Sequence, residues 1–229
     1  MTNVLSPNCI ERQFMSKNWL SARRKDFYYR KAKQLDYRSR ASFKLIQIDD
    51  RFHVMKPGYV VVDLGAAPGG WLQVASERVT ETGHVVGVDL QSIAPVDGMV
   101  ETIRGDIRKP ETVDKLLYMI AGKADVVLSD MSPNISGAYD TDQARSVELC
   151  EYALAFAQKT LVDNGTLVMK IFEGKDTKEF LEEVKKVFDK VRMFAPKASR
   201  DSSSEVYIIA RGFRGKDHVE VAQEDDQDK

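Results

Sequence analysis

Residues 61–71 read VVDLGAAPGGW, an apolar strand with an acidic residue near its end and then a glycine-rich turn. Glycines at 65, 69 and 70 let a backbone approach a ligand closely, because no side chain stands in the way. Twenty positions after Gly69 comes Asp89, at the end of a second apolar run, HVVGVDL. A carboxylate there accepts hydrogen bonds from both hydroxyls of a ribose. Asp106 (IRGDI) and Asp130 (VVLSDMSPN) end two further runs, and Lys170 stands inside LVMKIF. Lysine is almost never fully buried without a partner, so its place in a buried-looking strand points to chemistry. Together these residues predict a nucleotide-type cofactor beside a charged reaction centre.

The acidic residues narrow the cofactor. A dinucleotide such as NAD would lay a pyrophosphate on the helix that follows the glycine turn. Four carboxylates at successive strand ends, Asp63, Asp89, Asp106 and Asp130, favour a ligand that is uncharged or cationic near its centre. S-adenosylmethionine carries a sulfonium and an amino group and no phosphate. Asp89 would take its ribose hydroxyls, Asp106 its adenine amino group, and Asp130 would lie near the methionine part. Pro68 and Trp71 replace the last glycine of a dinucleotide fingerprint, which weakens the NAD reading further. Each feature alone has a plainer reading. A strand-end Asp caps a helix as readily as it meets a ligand, and Trp71 serves equally well as core. Four strand-end carboxylates do not reduce to caps.

These residues need a scaffold that brings strand ends together. Apolar runs predict strands over 59–64, 84–90, 100–104, 125–130, 166–172, 191–195 and 205–211. Amphipathic stretches predict helices over 70–80, 111–121, 141–161 and 176–190. The alternation argues for a seven-stranded, mostly parallel α/β sheet with helices on both faces, where ligands bind at the carboxyl ends of the strands. Only a short link separates the last two strands. An antiparallel pair therefore ends the sheet, because a parallel return needs a crossover of a dozen or more residues.

At 229 residues the chain reads as one domain, 16–213, with an N-terminal extension over 1–15 and an acidic, disordered tail over 214–229. No apolar run reaches the ~20 residues of a membrane span, and the N-terminus lacks a signal-peptide pattern. Cys9 and Cys150 form no metal or disulfide framework, so a cytoplasmic protein without metal is expected. Net charge is −1, yet residues 16–44 hold ten Lys or Arg against two Asp, a local balance of +8. From 17 to 52 the chain reads as helical, with Tyr28, Tyr29 and Tyr37 among the basic residues. Basic residues would contact phosphates and tyrosines would stack on unpaired bases, which makes RNA the expected partner. A solvated amphipathic helix is the plainer alternative.

The motifs GAAPGGW, GVDL, RGD, LSDMSPNISG, LVMKIFEG and SSSEVYIIARGF, in this order, resemble the RrmJ/FtsJ family. The resemblance runs from about Tyr28 to Phe213. It implies a class I, Rossmann-like methyltransferase fold and transfer of methyl from S-adenosylmethionine to a ribose 2′-oxygen of RNA. It also implies cofactor contacts from Gly65, Gly69, Trp71, Asp89, Asp106 and Asp130. The family's Lys-Asp-Lys-Glu tetrad falls on Lys44, Asp130, Lys170 and Glu205. Members of similar size methylate a uridine in the A loop of large-subunit ribosomal RNA, the first expectation for the substrate; the tRNA anticodon loop is the alternative. A monomer is expected. An NAD(P)-dependent oxidoreductase would leave the paired lysines unexplained, and a non-catalytic RNA binder would leave the tetrad so.

Overall fold

The computed structural model describes residues 27–199 and 204–215. The expected extension over 1–15, the first part of the basic segment and the tail beyond 215 lie outside the described residues. Helix α1, described over 27–34, leads into α2 (Ser42–Phe52). There follow β1 (Val60–Leu64), α3 (Gly70–Val79), β2 (His84–Asp89), β3 (Val100–Arg104) and α4 (Pro110–Met119). The second half is β4 (Ala124–Ser129), α5 (Tyr139–Thr160), β5 (Leu161–Phe172), α6 (Thr177–Val187), β6 (Phe188–Phe194) and β7 (Glu205–Phe213). Among the described residues no helix is long and apolar enough to cross a membrane.

The strands form one sheet in the order β3-β2-β1-β4-β5-β7-β6. β7 runs antiparallel to both its neighbours, and the other six strands are parallel to one another. The central sequences VVVDL and ADVVLS are apolar at almost every position because both faces of the sheet are covered. α2 and α3 cover one face, where Leu45, Ile48, Trp71 and Leu72 meet Val61, Val126, Val168 and Tyr207. α4, α5 and α6 cover the other, where Leu116, Phe156 and Phe180 meet Val62, Val127 and Met169. Strands β1, β2, β4 and β5 all deliver their carboxyl ends to one edge of these layers, and β7 delivers its amino end there.

Two expectations change. The helical run over 17–52 is interrupted: its described part is two helices, and the turn between them puts Asp36 at φ 58°. Tertiary contacts fix that turn, since Gln73 of α3 accepts from the Arg38 N–H and donates to the Asp36 carbonyl, each at 2.9 Å. The helix expected over 176–190 ends at Val187, and β6 begins at Phe188. Phe188 is buried opposite Phe213 of β7, with ring centroids 5.5 Å apart, so ladder pairing overrides the continuing helical pattern.

Candidate active site

Lys170 lies near the carboxyl end of β5 and is 6% exposed. β4 stops at Ser129, so the adjacent Asp130 meets it at the strand ends. The Lys170 Nζ donates to the Asp130 carbonyl at 2.7 Å and lies 3.2 Å from its carboxylate Oδ1. α2 docks over the same face and brings in Lys44, which is 7% exposed and forms an ion pair with Glu205 at the start of β7. The four tetrad residues thus form two ion pairs, each joining a buried lysine to a half-buried carboxylate. Each lysine has a carboxylate because an unpaired buried ammonium costs several kcal/mol.

A fifth residue joins the pairs. Tyr207 stands directly opposite Lys170 in the antiparallel ladder and shares a strand face with Glu205, two positions earlier. Its hydroxyl donates to Asp130 Oδ1 at 2.7 Å and lies 3.3 Å from Glu205 Oε1. The Lys44 Nζ sits 5.7 Å from its ring centroid. Burial, and then the carboxylates of Asp130 and Glu205, push the Tyr207 hydroxyl well above its ordinary value, so it stays a donor. Tyr207 was missed in the sequence because SSEVYIIARGF reads as an apolar strand. The i, i+2 spacing from Glu205 was the available signal.

The glycine turn also packs against the protein's own chain. A Cβ on Gly65 would stand 2.7 Å from Met131 Cγ, just after Asp130. At Gly69, with φ +105°, a Cβ would stand 2.8 Å from Arg38 Nη1; at Gly70 it would stand 2.6 Å from the hydroxyls of Ser39 and Ser42. The close approach these glycines allow is therefore to the chain's own N-terminal segment and to the segment after β4. The Gly69 N–H is also taken, donating to Ala66 O at 2.7 Å. Arg38, expected to face phosphate, instead donates to Pro68 O (3.3 Å), Ala94 O (2.6 Å) and Pro95 O. It ties the glycine turn to the loop that follows β2. The Trp71 indole is buried core: Nε1 donates to Ala41 O at 2.9 Å and the ring lies 5.8 Å from that of Tyr207. Only the backbone of Trp71 is left to face a cofactor.

Around this turn the carboxylates gather. Asp89 ends β2 and accepts from Ala67 N–H (3.0 Å) and Gln91 N–H (2.8 Å), one on each oxygen, leaving each a second lone pair. Asp106 is clasped by the guanidinium of Arg108, whose hydrogen bonds hold its carboxyl below the usual range. Asp63 is fully buried in β1, and both its carboxylate oxygens lack a hydrogen-bond partner. Burial first, then the nearby carboxylates of Asp130 and Asp89, push it well above the usual range. Carboxylates close enough to keep a buried neighbour protonated suit a site completed by a cationic, non-phosphorylated ligand.

The FtsJ-like methyltransferase family model matches residues 37–213, which span every element from α2 to β7. The chain belongs to this family. Two archaeal relatives are both named ribosomal RNA large subunit methyltransferase E. That of Methanocaldococcus jannaschii is 48% identical, over 87% of this chain and 83% of its own. That of Natronomonas pharaonis is 52% identical, over 82% and 74%. A crystal structure of a putative ribosomal RNA methyltransferase from Plasmodium falciparum superposes with a TM-score of 0.70 at 29% identity, covering 79% of this chain and all of that one. MycE, a methyltransferase of mycinamycin biosynthesis in complex with Mg and SAH, shares the fold with a TM-score of 0.52 at 15% identity, covering 72% of this chain and 48% of its own. Within the FtsJ-like fold of this chain, tetrad and glycine turn share the carboxyl edge of the sheet.

Two outcomes follow from this geometry. A carboxyl raised in the folded state holds its proton where the unfolded chain, with aspartate near ~3.9, has released it. Ionisation of Asp63 therefore costs folding nothing below that value, and the cost grows as pH rises from there towards the folded value. Asp63→Asn should remove this cost, so the thermal midpoint of the variant relative to the parent should rise from about pH 5 to about pH 8. A difference constant across that range would refute the assignment. Gly69→Ala should cost about 1–3 kcal/mol from its positive φ and its collision with Arg38. In an Arg38→Ala background the cost should shrink, because the collision is gone. Additive costs in urea unfolding would show that Gly69 does not make room for Arg38.

Proposed function

We propose that the chain transfers a methyl group from S-adenosylmethionine to a ribose 2′-hydroxyl of RNA, at a uridine in the A loop of large-subunit ribosomal RNA. The observation that carries this reading is the two ion pairs of buried lysines, Lys44–Glu205 and Lys170–Asp130, bridged by one tyrosine hydroxyl. A hydroxyl nucleophile must be aimed and must lose its proton, and such a set does both. Hydride transfer would leave both lysines without a task. The names of the archaeal relatives support large-subunit ribosomal RNA as the substrate.

The residues present fit the cofactor. The free lone pairs of Asp89 call for hydroxyl donors, and the carboxylates of Asp89 and Asp130, close enough to disfavour ionisation of Asp63, suit a cation. Asp89 would hold the ribose hydroxyls, Asp106 the adenine amino group and Asp130 the methionine end. Gly65, Gly69 and Trp71 would shape the turn against them. When bound, the cofactor supplies an electrophilic methyl on a sulfonium.

The chain's own residues act on the RNA oxygen. Lys170, fixed by two acceptors of Asp130, takes the hydroxyl proton or, as ammonium, stabilises the oxygen as negative charge develops. Tyr207 and the Lys44–Glu205 pair hold Asp130 in place from the other side. With both lysines charged, two lysines and two carboxylates leave the set neutral and ready to receive a hydroxyl. The positive charge for phosphates lies in the 16–44 segment. Its Lys31 and Lys33 flank the exposed rings of Phe27 and Tyr29 on α1.

Lys170→Ala is expected to lower kcat about 10²–10⁴-fold while calorimetry shows unchanged binding of S-adenosylhomocysteine. Asp89→Ala should do the reverse, weakening that binding. Full activity of Lys170→Ala would overturn the mechanism. The substrate is tested with labelled S-adenosylmethionine on ribosomal subunits, naked ribosomal RNA and bulk tRNA from cells lacking the enzyme. The expected product, identified by mass, is 2′-O-methyluridine in the large-subunit RNA. Label in tRNA alone would keep the chemistry and overturn the target.

A further inference from the structure

The loop between Asp130 and α5 is built to hold a shape. Asp142, buried in the first turn of α5, accepts from Ser136 N–H (2.8 Å), the Ser136 hydroxyl (2.8 Å) and Gly137 N–H (3.1 Å). These bonds hold its carboxyl below the usual range, so the clamp persists at neutral pH. Arg145 adds a long contact to Asn134 O at 3.4 Å. On this fixed loop two large side chains face solvent, Ile135 at 65% and Tyr139 at 58% exposure.

Tyr139 is anchored at both ends. Its backbone begins α5, and its hydroxyl donates to the carbonyl of Glu173, three residues after Lys170. Glu173 in turn donates its N–H to Ser204 O at 2.8 Å, next to Glu205. Tyr139 thus bridges the segments that leave Asp130 and Lys170, and Glu173 carries the link on to the segment that enters Glu205. It forms a rigid, exposed aromatic face on the rim of the catalytic cleft. Exposed apolar surface held rigid beside a reaction centre marks a binding surface.

We propose that Tyr139 is the platform on which an unpaired base of the RNA strand entering the tetrad stacks. This rests on the RNA 2′-O-methyl transfer proposed above. An aromatic face accepts any base, because every base has a π-face, and its affinity comes from ring area rather than from the hydroxyl. The hydroxyl's task is to fix the plane of the ring. The chemistry selects an unpaired base over a duplex, since bases within a helix stay stacked on one another. Tyr139 is therefore a positioning residue for the RNA and makes no contact with the reacting atoms.

The test uses the full chain and a short single-stranded RNA oligonucleotide carrying 2-aminopurine, with methyl transfer to large ribosomal subunits measured in parallel. Tyr139→Leu should weaken oligonucleotide affinity about tenfold or more, abolish quenching of the 2-aminopurine and raise KM for the subunit more than it lowers kcat. Tyr139→Phe should retain most of the affinity and the quenching. S-adenosylhomocysteine affinity and thermal midpoint should be unchanged in both, which separates loss of stacking from misfolding. Tyr118→Leu is the control: this exposed residue lies at the end of α4 that leads to the opposite edge of the sheet. Parental KM and quenching in Tyr139→Leu, with a parental enzyme that methylates RNA, would overturn the platform and leave the proposed reaction intact. Tyr139→Phe as damaged as Tyr139→Leu would also overturn it, assigning the effect to the Glu173 link. Tyrosine-dependent quenching by a chain that transfers no methyl to RNA would uphold the platform and sink the reaction.

Discussion

Two ammonium groups sit almost out of reach of water where the strands end, and the arrangement of the site follows from that. An isolated buried charge costs several kcal/mol, so each lysine must meet a carboxylate with good geometry. For Lys170, on β5, the carboxylate comes from the residue just after β4. For Lys44, on α2, it comes from the first residue of β7. No single element could supply the set. β4, β5 and β7 must be neighbours in the sheet, and α2 must dock across their ends. Tyr207 then links the two pairs through a hydroxyl that burial keeps protonated.

The segment expected to face RNA and the turn expected to face a cofactor are one structure. Arg38 reaches from the basic segment to three carbonyls on two loops, and the missing side chains of Gly69 and Gly70 make room for it and for Ser39 and Ser42. A glycine motif read as a cradle for a ligand is also a socket for the protein's own N-terminal segment. Trp71 works in the same direction, holding α2 through Ala41 and backing Tyr207. The glycine turn and the segment that carries Lys44 are tied together by these contacts.

Carboxylates crowd this edge beyond what the lysines neutralise. Asp63 has no donor among the described residues and lies close enough to Asp89 and Asp130 for both to disfavour its ionisation. A group held in so unfavourable a state lowers stability, and such groups concentrate where a ligand supplies the missing partner. Asp106 shows the contrast, since Arg108 meets its charge within the chain.

The amino-acid sequence alone determined the chemical inventory and most of the elements. Period and composition marked seven strands, and the acidic residues and Lys170 stood out because such groups rarely interrupt apolar runs. These signals are local, carried by residues a few positions apart. What tertiary structure decided concerns residues far apart along the chain. The links 90–99 and 195–204 are equally long, yet β3 runs parallel to β2 while β7 runs antiparallel to β6. Tyr207 finds Asp130 across 77 positions and Lys44 finds Glu205 across 161. Arg38 looked like one more charge for phosphate until its loops closed around it. Hydrophobic period specifies which face of an element is buried; which partner lies there is settled only when the layers pack and each buried polar group must find its complement.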